Sequence, residues 1–212
     1  KLGGVEGGLK SLGKQALIVS ASFYALKKSW DFGVELKNFA RDAQETTNKF
    51  KTVFSSMEST ATKTAKTLAD SFGLAHSTAM ELLGDTGDLL VGFGFTEKSA
   101  LELSKNVNEL AIDLASFTNF SGGAEGASLA LTKALLGERE SIKSLGIAIT
   151  EADLKRFAAD QGLVWGELDR VAKAQVTYEL ALKQSSKASG DFARTQDDLA
   201  NQERILSERF KE

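Results

Sequence analysis

The chain has 212 residues, 42% of them hydrophobic and 26% charged, with a formal net charge of −3. That is enough chain and enough apolar surface for one large or two small domains, and it excludes a disordered tail and a simple polycationic nucleic-acid binder. No Cys excludes disulfides, thiolate metal sites and cysteine nucleophiles; no Pro removes the residue that most often stops a helix, leaving 19 Gly as the breakers.

Charge is unevenly placed. Basic residues exceed acidic ones in residues 1–80, and the reverse holds in 81–212. Two segments are therefore expected, a shaft and lead-in over 1–80 and a separate module over 81–212. The chain opens on Lys1 and ends at Phe210-Lys211-Glu212, and we read it as a window from a longer protein.

Residues 1–13 are glycine-rich and predict a loose lead-in. Gly8-x-x-x-x-Gly13-Lys14 matches part of a phosphate-binding loop, but Gln15 stands where the magnesium-binding Ser or Thr belongs, with no strand before it. The uncharged run Gln15–Leu26, flanked by Lys14, Lys27 and Lys28, reads as a buried helix or a strand, the helix being favoured because the rest of the chain is helical. It is too short to span a bilayer, which needs about 20 residues.

Leu36, Ala40, Ala43, Thr47, Phe50, Phe54, Met57, Ala61, Thr64 and Leu68 alternate at spacings of four and three. A repeat of about 3.5 residues keeps one seam facing a partner helix in a left-handed supercoil. The spacing predicts a long coiled-coil-like helix and a self-association seam, with either a second copy or a later helix as partner. Gly73 is expected to end it.

A short apolar helix over 74–83 follows, and Gly84, Gly87, Gly92 and Gly94 are expected to break the chain repeatedly. Phe93 and Phe95 in that stretch either plug a core or present a contact to a partner. Thr96 with Glu97 predicts an N-cap. Leu103, Val107, Leu110, Ala111, Leu114 and Phe117 share one helical face, and Gly122-Gly123 closes that helix. A helix over about 125–136 stops at Gly137. Thr150 and Asp153 form a capping-box pattern. A helix over about 167–186 carries Val171, Ala174, Tyr178, Ala181 and Leu182 on one face. After Ser189-Gly190-Asp191, a final helix carries Phe192, Leu199 and Leu206 at intervals of seven, with Ile205 and Phe210 beside them. The fold class is all-α: a long coiled-coil-like N-terminal helix, then a glycine-punctuated bundle.

Chemistry is sparse. His76 is the single histidine and sits in an apolar helical stretch without a motif, so it reads as a structural or surface residue. Asp85 with Asp88, and Asp197 with Asp198, read as caps and solvated faces. Aromatic residues do not interleave with Lys and Arg as single-strand nucleic-acid grooves require. We expect no enzyme activity, no cofactor, no metal and no specific nucleic-acid recognition.

Several stretches carry a resemblance. They are Gly-Asp-Thr-Gly-Asp-Leu-Leu (84–90), Gly-Phe-Gly-Phe-Thr (92–96) and Asp-Leu-Ala-Ser-Phe-Thr-Asn-Phe (113–120). They continue with Ala-Leu-Leu-Gly-Glu-Arg-Glu-Ser-Ile-Lys-Ser-Leu-Gly (134–146), Ile-Thr-Glu-Ala-Asp-Leu (149–154), Ala-Ser-Gly-Asp-Phe-Ala-Arg-Thr (188–195) and Asp-Asp-Leu-Ala-Asn-Gln (197–202). In order and spacing they resemble a helical domain of phage tail tape measure proteins. The resemblance implies a structural protein inside the tail lumen or at the tail tip of a virion, made in the host cytoplasm. Such a protein sets tail length by templating tail-tube polymerisation and aids genome delivery. It implies as partners the tail tube protein, tail-tip or baseplate hub proteins and tail assembly chaperones, with several copies together and membrane contact during ejection. Candidate partner contacts are Phe93, Phe95, Phe192, Leu199, Leu206 and Phe210. The competing readings are a membrane-active translocation module and an unrelated helical adaptor.

Overall fold

The computed structural model describes residues 41–209. The chain divides into two compact units, Lys1–Glu45 and Thr46–Glu212. Of the first, residues 41–45 are helical, with Arg41 paired to Asp42 and Glu45. The second contains both 46–80 and the 81–212 segment.

The helices follow in chain order. Helix α1 covers 41–53, and a 3₁₀ turn at Ser55–Met57 leads to α2 (Glu58–Phe72). Next come α3 (His76–Phe93), α4 (Glu97–Thr118) and α5 (Gly123–Leu135). A 3₁₀ turn at Ser141–Leu145 precedes α6 (Glu151–Asp160). The chain ends with α7 (Arg170–Gln184), α8 (Asp191–Thr195) and α9 (Leu199–Arg209). Among the described residues there is no β-strand, so the all-α class stands.

Local signals explain most boundaries. Gly73 adopts the left-handed conformation that closes α2 (φ 60°). At 92–96, Gly94 (φ 115°) turns the end of α3, and the Phe95 N–H reaches back to the Leu90 carbonyl at 3.0 Å. Thr96 then caps α4 by accepting from the Ser99 N–H. The stretch is a helix stop joined to a helix start. Thr150 and Asp153 form the expected reciprocal capping box on α6, and the Asp169 side chain caps α7 by accepting the Ala172 N–H at 2.8 Å.

Four expectations need correction. The 3.5-residue seam does not lie on one continuous helix. Phe54 (φ −114°, ψ 39°) and Met57 (φ −143°, ψ 31°) leave helical geometry, so α1 and α2 are separate. The longest helix among the described residues is instead α4, with 22 residues. Helix α3 runs straight through Gly84, Gly87 and Gly92; these glycines do not break it. Phe192 falls in α8, and Leu199 and Leu206 in α9, so the seven-residue spacing crosses a break. Helix α4 closes at Thr118 on a left-handed Asn119 (φ 48°), and Gly123 begins α5.

Of the α3 glycines, Gly87 makes room for an aromatic ring and Gly84 lies in ordinary contact beside another. A Cβ at Gly84 would lie 3.6 Å from the Phe50 Cα, and one at Gly87 would run into the Phe54 ring. Phe50 and Phe54 meet edge to face, centroids 5.3 Å apart. Both rings are fully buried, each worth roughly 1.5–3 kcal/mol. Two helix-interior glycines cost about 1 kcal/mol apiece, so the ring burial outweighs them. Helix α4 is the hub, packing against α2, α3, α5 and α8. Its burial extends beyond one stripe: Leu101 and Ile112 are buried with Leu103, Val107, Leu110, Ala111 and Leu114, whereas Phe117 is 52% exposed.

The break between α1 and α2 is held from the start of α4. The Glu97 carboxylate accepts from the Ser56 N–H (2.9 Å) and Ser56 Oγ (2.7 Å). The Ser56 hydroxyl, then the Ser56 N–H, hold the Glu97 carboxyl below its usual range. A depressed carboxyl stabilises the fold above its unfolded value, and that contribution is lost as pH falls through the folded one. We expect Glu97→Gln to melt at a lower temperature than wild type near neutral pH. The gap should narrow on acidification below the ordinary carboxyl range; an equal gap at both pH values would count against the clasp.

Candidate functional surfaces

Buried polar side chains are retained in a fold where they fix geometry or serve a ligand. Two such clusters form here. The first links α3, α4 and α5. Asn108 donates to the carbonyls of Leu82 (3.1 Å) and Ser104 (2.8 Å), and Ser128 Oγ donates to Asn108 Oδ1 (2.6 Å). Thr86 Oγ1 and Ser128 Oγ lie 3.1 Å apart. Above this cluster runs a groove of about 220 Å³ between α3 and α5, lined by Thr86, Ser128 and Thr132 and by Leu89 and Leu129. The two leucines are 40% and 49% exposed.

The second cluster joins α4 to the end of the module. Asp113 Oδ2 accepts the Gly190 N–H at 2.6 Å, and Oδ1 accepts the Phe192 N–H at 3.1 Å. Gly190 is left-handed (φ 74°), which lets neighbouring N–H groups face one carboxylate. Asp191 Oδ2 accepts from Ser116 Oγ (2.8 Å), and Asn201 donates to the Thr195 carbonyl and hydroxyl (both 2.9 Å). Burial pushes the Asp113 carboxyl up, against the lowering effect of the two N–H groups; nearby Asp191 adds to the rise and Arg194 opposes it. Both Asp113 oxygens are committed to backbone N–H groups, so the carboxylate is built as a clamp. Three of the stretches that carry the resemblance, 113–120, 188–195 and 197–202, meet in this one cluster.

Beside it lies Arg204. Its guanidinium stacks on the Phe192 ring, 4.4 Å from the centroid. Among the described residues, its shielded Nε and Nη2 meet no hydrogen-bond partner. Burial pushes the guanidinium below its ordinary value, against the opposing charge of Glu208. The same holds, among the described residues, for His76 Nδ1.

The seam residues divide. Leu36 and Ala40 lie outside the described residues. Ala43, Thr47, Met57 and Thr64 are half-buried. Phe50, Phe54, Ala61 and Leu68 are buried within the module. Of the expected partner contacts, Phe95 and Phe192 are core residues. Phe93 is half-buried under the Arg170 guanidinium, 5.4 Å from its ring centroid. Leu199 and Leu206 are exposed, at 75% and 55%, and Phe210 lies outside the described residues. The phosphate-loop-like Gly8–Lys14 and the uncharged run 15–26 also lie outside them.

Sequence reasoning did not single out Leu89, Leu129, Leu163 or Val164, which are all exposed. The pair Leu163-Val164 carried a signal, being apolar between Gly162 and Gly166. Leu129 carried a weaker one, standing off the face defined by Ala127, Ala130, Leu131 and Ala134.

Among the described residues no group of three or more His, Asp or Glu is placed to hold a metal ion. No helix among them is long and apolar enough to cross a membrane. No family model, curated protein or solved structure matches the chain.

Proposed function

We propose that the chain is a helical module of a phage-type tail tape measure protein, a structural and assembly protein rather than an enzyme. The observation that carries this reading is the ordered series of short stretches between 84 and 202 that resemble such proteins. Those stretches do mechanical work in the fold. Residues 84–90 seat two aromatic rings and 92–96 join two helices. Residues 113–120, 188–195 and 197–202 share one polar clamp. They specify a shape, which suits a protein whose function is to be a part.

In this reading the chain has a shaft and a docking module. The coiled-coil-like shaft uses the early seam positions Leu36, Ala40, Ala43 and Thr47, because Phe50, Phe54, Ala61 and Leu68 are buried inside the module. The module docks through its exposed apolar positions, the Leu89–Leu129 groove and the outer face of α9 at Leu199 and Leu206. Its partners are the tail tube protein, the tail-tip or baseplate hub and the assembly chaperones. It acts in the virion tail and, during assembly, in the host cytoplasm. The tube polymerises around the extended parent protein, which sets tail length and aids genome delivery.

The test is tail length by electron microscopy after in-frame deletions in the parent gene. Deleting an extended helical part should shorten tails by about 1.5 Å per residue removed. Deleting 84–202 should reduce tail yield instead. Normal yield with unchanged length in both strains would sink the proposal and favour an adaptor or a membrane-delivery role.

A further inference from the structure

The groove between α3 and α5 has one chemistry on its floor and another on its rim. Thr86, Ser128 and Thr132 line it and are buried. Their hydroxyl hydrogens are committed inside the fold. Ser128 Oγ donates to Asn108 Oδ1 (2.6 Å), and Thr132 Oγ1 donates to the Ser128 carbonyl (2.8 Å). With the Ser128 hydrogen given to Asn108, the Thr86 hydroxyl is the donor across the 3.1 Å to Ser128 Oγ. Among the described residues, no other side chain lining the groove carries a donor. The groove therefore has no side-chain donor to offer an anion.

What faces outward is apolar surface and negative charge. Leu89 and Leu129 are exposed. Among the described residues, every charged side chain lining the groove is a carboxylate: Glu81, Asp85 and Glu125. Lys49 pairs with Asp85 (2.8 Å) but is shared with Asp88 (3.5 Å), so this one cation leaves the rim acidic. Both walls have the same order. Glu81, Asp85 and Leu89 follow at steps of four on α3, and so do Glu125 and Leu129 on α5. Residues four apart share a helix face, so each wall carries a leucine one turn beyond a carboxylate.

An occupant has to match both halves. A volume of about 220 Å³ suits one large apolar side chain, since a cavity of roughly 150 Å³ holds a benzene ring. The carboxylate one turn from each leucine calls for a cation one turn from that side chain. A phosphate ligand, a nucleic acid or an anionic membrane would meet like charge and no donor. From these features we infer that the α3–α5 groove receives an amphipathic helix of a partner protein, one that presents a large apolar side chain with Lys or Arg one turn away. This inference rests on the docking role given to the groove above. It is tested on the isolated chain in solution, whereas the tape-measure reading is tested by tail length, so either can fail alone.

The test uses the full 212-residue chain, labelled with ¹⁵N. The probe is a capped, alanine-based peptide of about 16 residues, long enough to hold a helix, with one Phe at its centre and a Lys one turn to either side. We expect saturable amide shifts centred on residues 81–89 and 125–132. Two control peptides, one with Glu in place of Lys and one with Ala in place of Phe, should each bind at least several-fold more weakly. The Ala control keeps the positive charge, so its weakness separates docking from general attraction to an acidic chain. In the protein, Leu129→Ala and Leu89→Ala alter exposed positions, and each should weaken binding of the Phe peptide at least several-fold while the amide spectrum stays that of a folded chain. Absence of a saturable shift, shifts centred elsewhere, or equal binding of either control peptide would overturn the inference. So would unchanged affinity in both leucine variants.

Discussion

Gly87→Ala should destabilise the module by about 1–3 kcal/mol, although alanine is the better helix former. Overpacking a filled core costs that much, and the gain in helix propensity, about 1 kcal/mol, is smaller or comparable. The new methyl would enter the Phe54 ring, which is fully buried and held edge-to-face against Phe50. Gly84→Ala, one turn earlier on the same helix, supplies the contrast. Its methyl would rest 3.6 Å from the Phe50 Cα, an ordinary contact. That variant should be neutral or stabilised by up to about 1 kcal/mol. Urea denaturation of both measures the difference. In a Phe54→Leu background the ring is gone, and Gly87→Ala should cost less than in wild type; the non-additivity reports the contact directly. If the two alanine variants behave alike, or the Phe54→Leu background changes nothing, Gly87 is not there for the ring.

This pair also marks where the sequence is legible. Signals that act within one turn read true: Gly73 as a helix stop, Thr96 as a cap, Thr150 with Asp153 as a capping box. Each is satisfied by neighbours three or four residues away, so the reading needs no tertiary knowledge. Gly84 and Gly87 read as breakers because a glycine within a helix and one that ends it look the same in sequence. What separates them is a ring brought from more than thirty residues upstream. The 3.5-residue seam misleads in a related way. Periodicity counts residues, and it continues unperturbed through Phe54–Met57, where the backbone leaves the helix. Phe50 and Phe54 consequently serve an intramolecular core, with α3 as partner. The spacing of Phe192, Leu199 and Leu206 likewise spans the gap between α8 and α9, so one is core and two are surface. Arg204 is not legible at all, because an arginine in Asn-Gln-Glu-Arg reads as solvated until Phe192 is placed beneath it.

Asp113 gives a faint signal, one acid among Leu110, Ala111, Ile112 and Leu114, and it supports the second large expectation. Asp113→Ala should cost about 2–4 kcal/mol, at roughly 1–3 kcal/mol per N–H left without an acceptor. The discount below the full sum reflects Gly190, which is only half-buried and can recruit water. Asp113→Asn should also lose stability, because its amide group turns a donor toward one of the two N–H groups of Gly190 and Phe192. The dependence on pH then tells which force dominates at the clamp. Burial raises the Asp113 carboxyl, and the two N–H groups only partly oppose it. A raised carboxyl favours the folded state most below its unfolded value of about 3.8. That contribution is lost as pH rises through the folded value. Acidification should therefore widen the stability gap between wild type and Asp113→Asn, the opposite of the Glu97→Gln comparison. A gap that narrows on acidification would mean the backbone N–H groups outweigh burial. The clamp would then hold a carboxylate more comfortable inside the fold than in water, and its N–H partners would be worth correspondingly more.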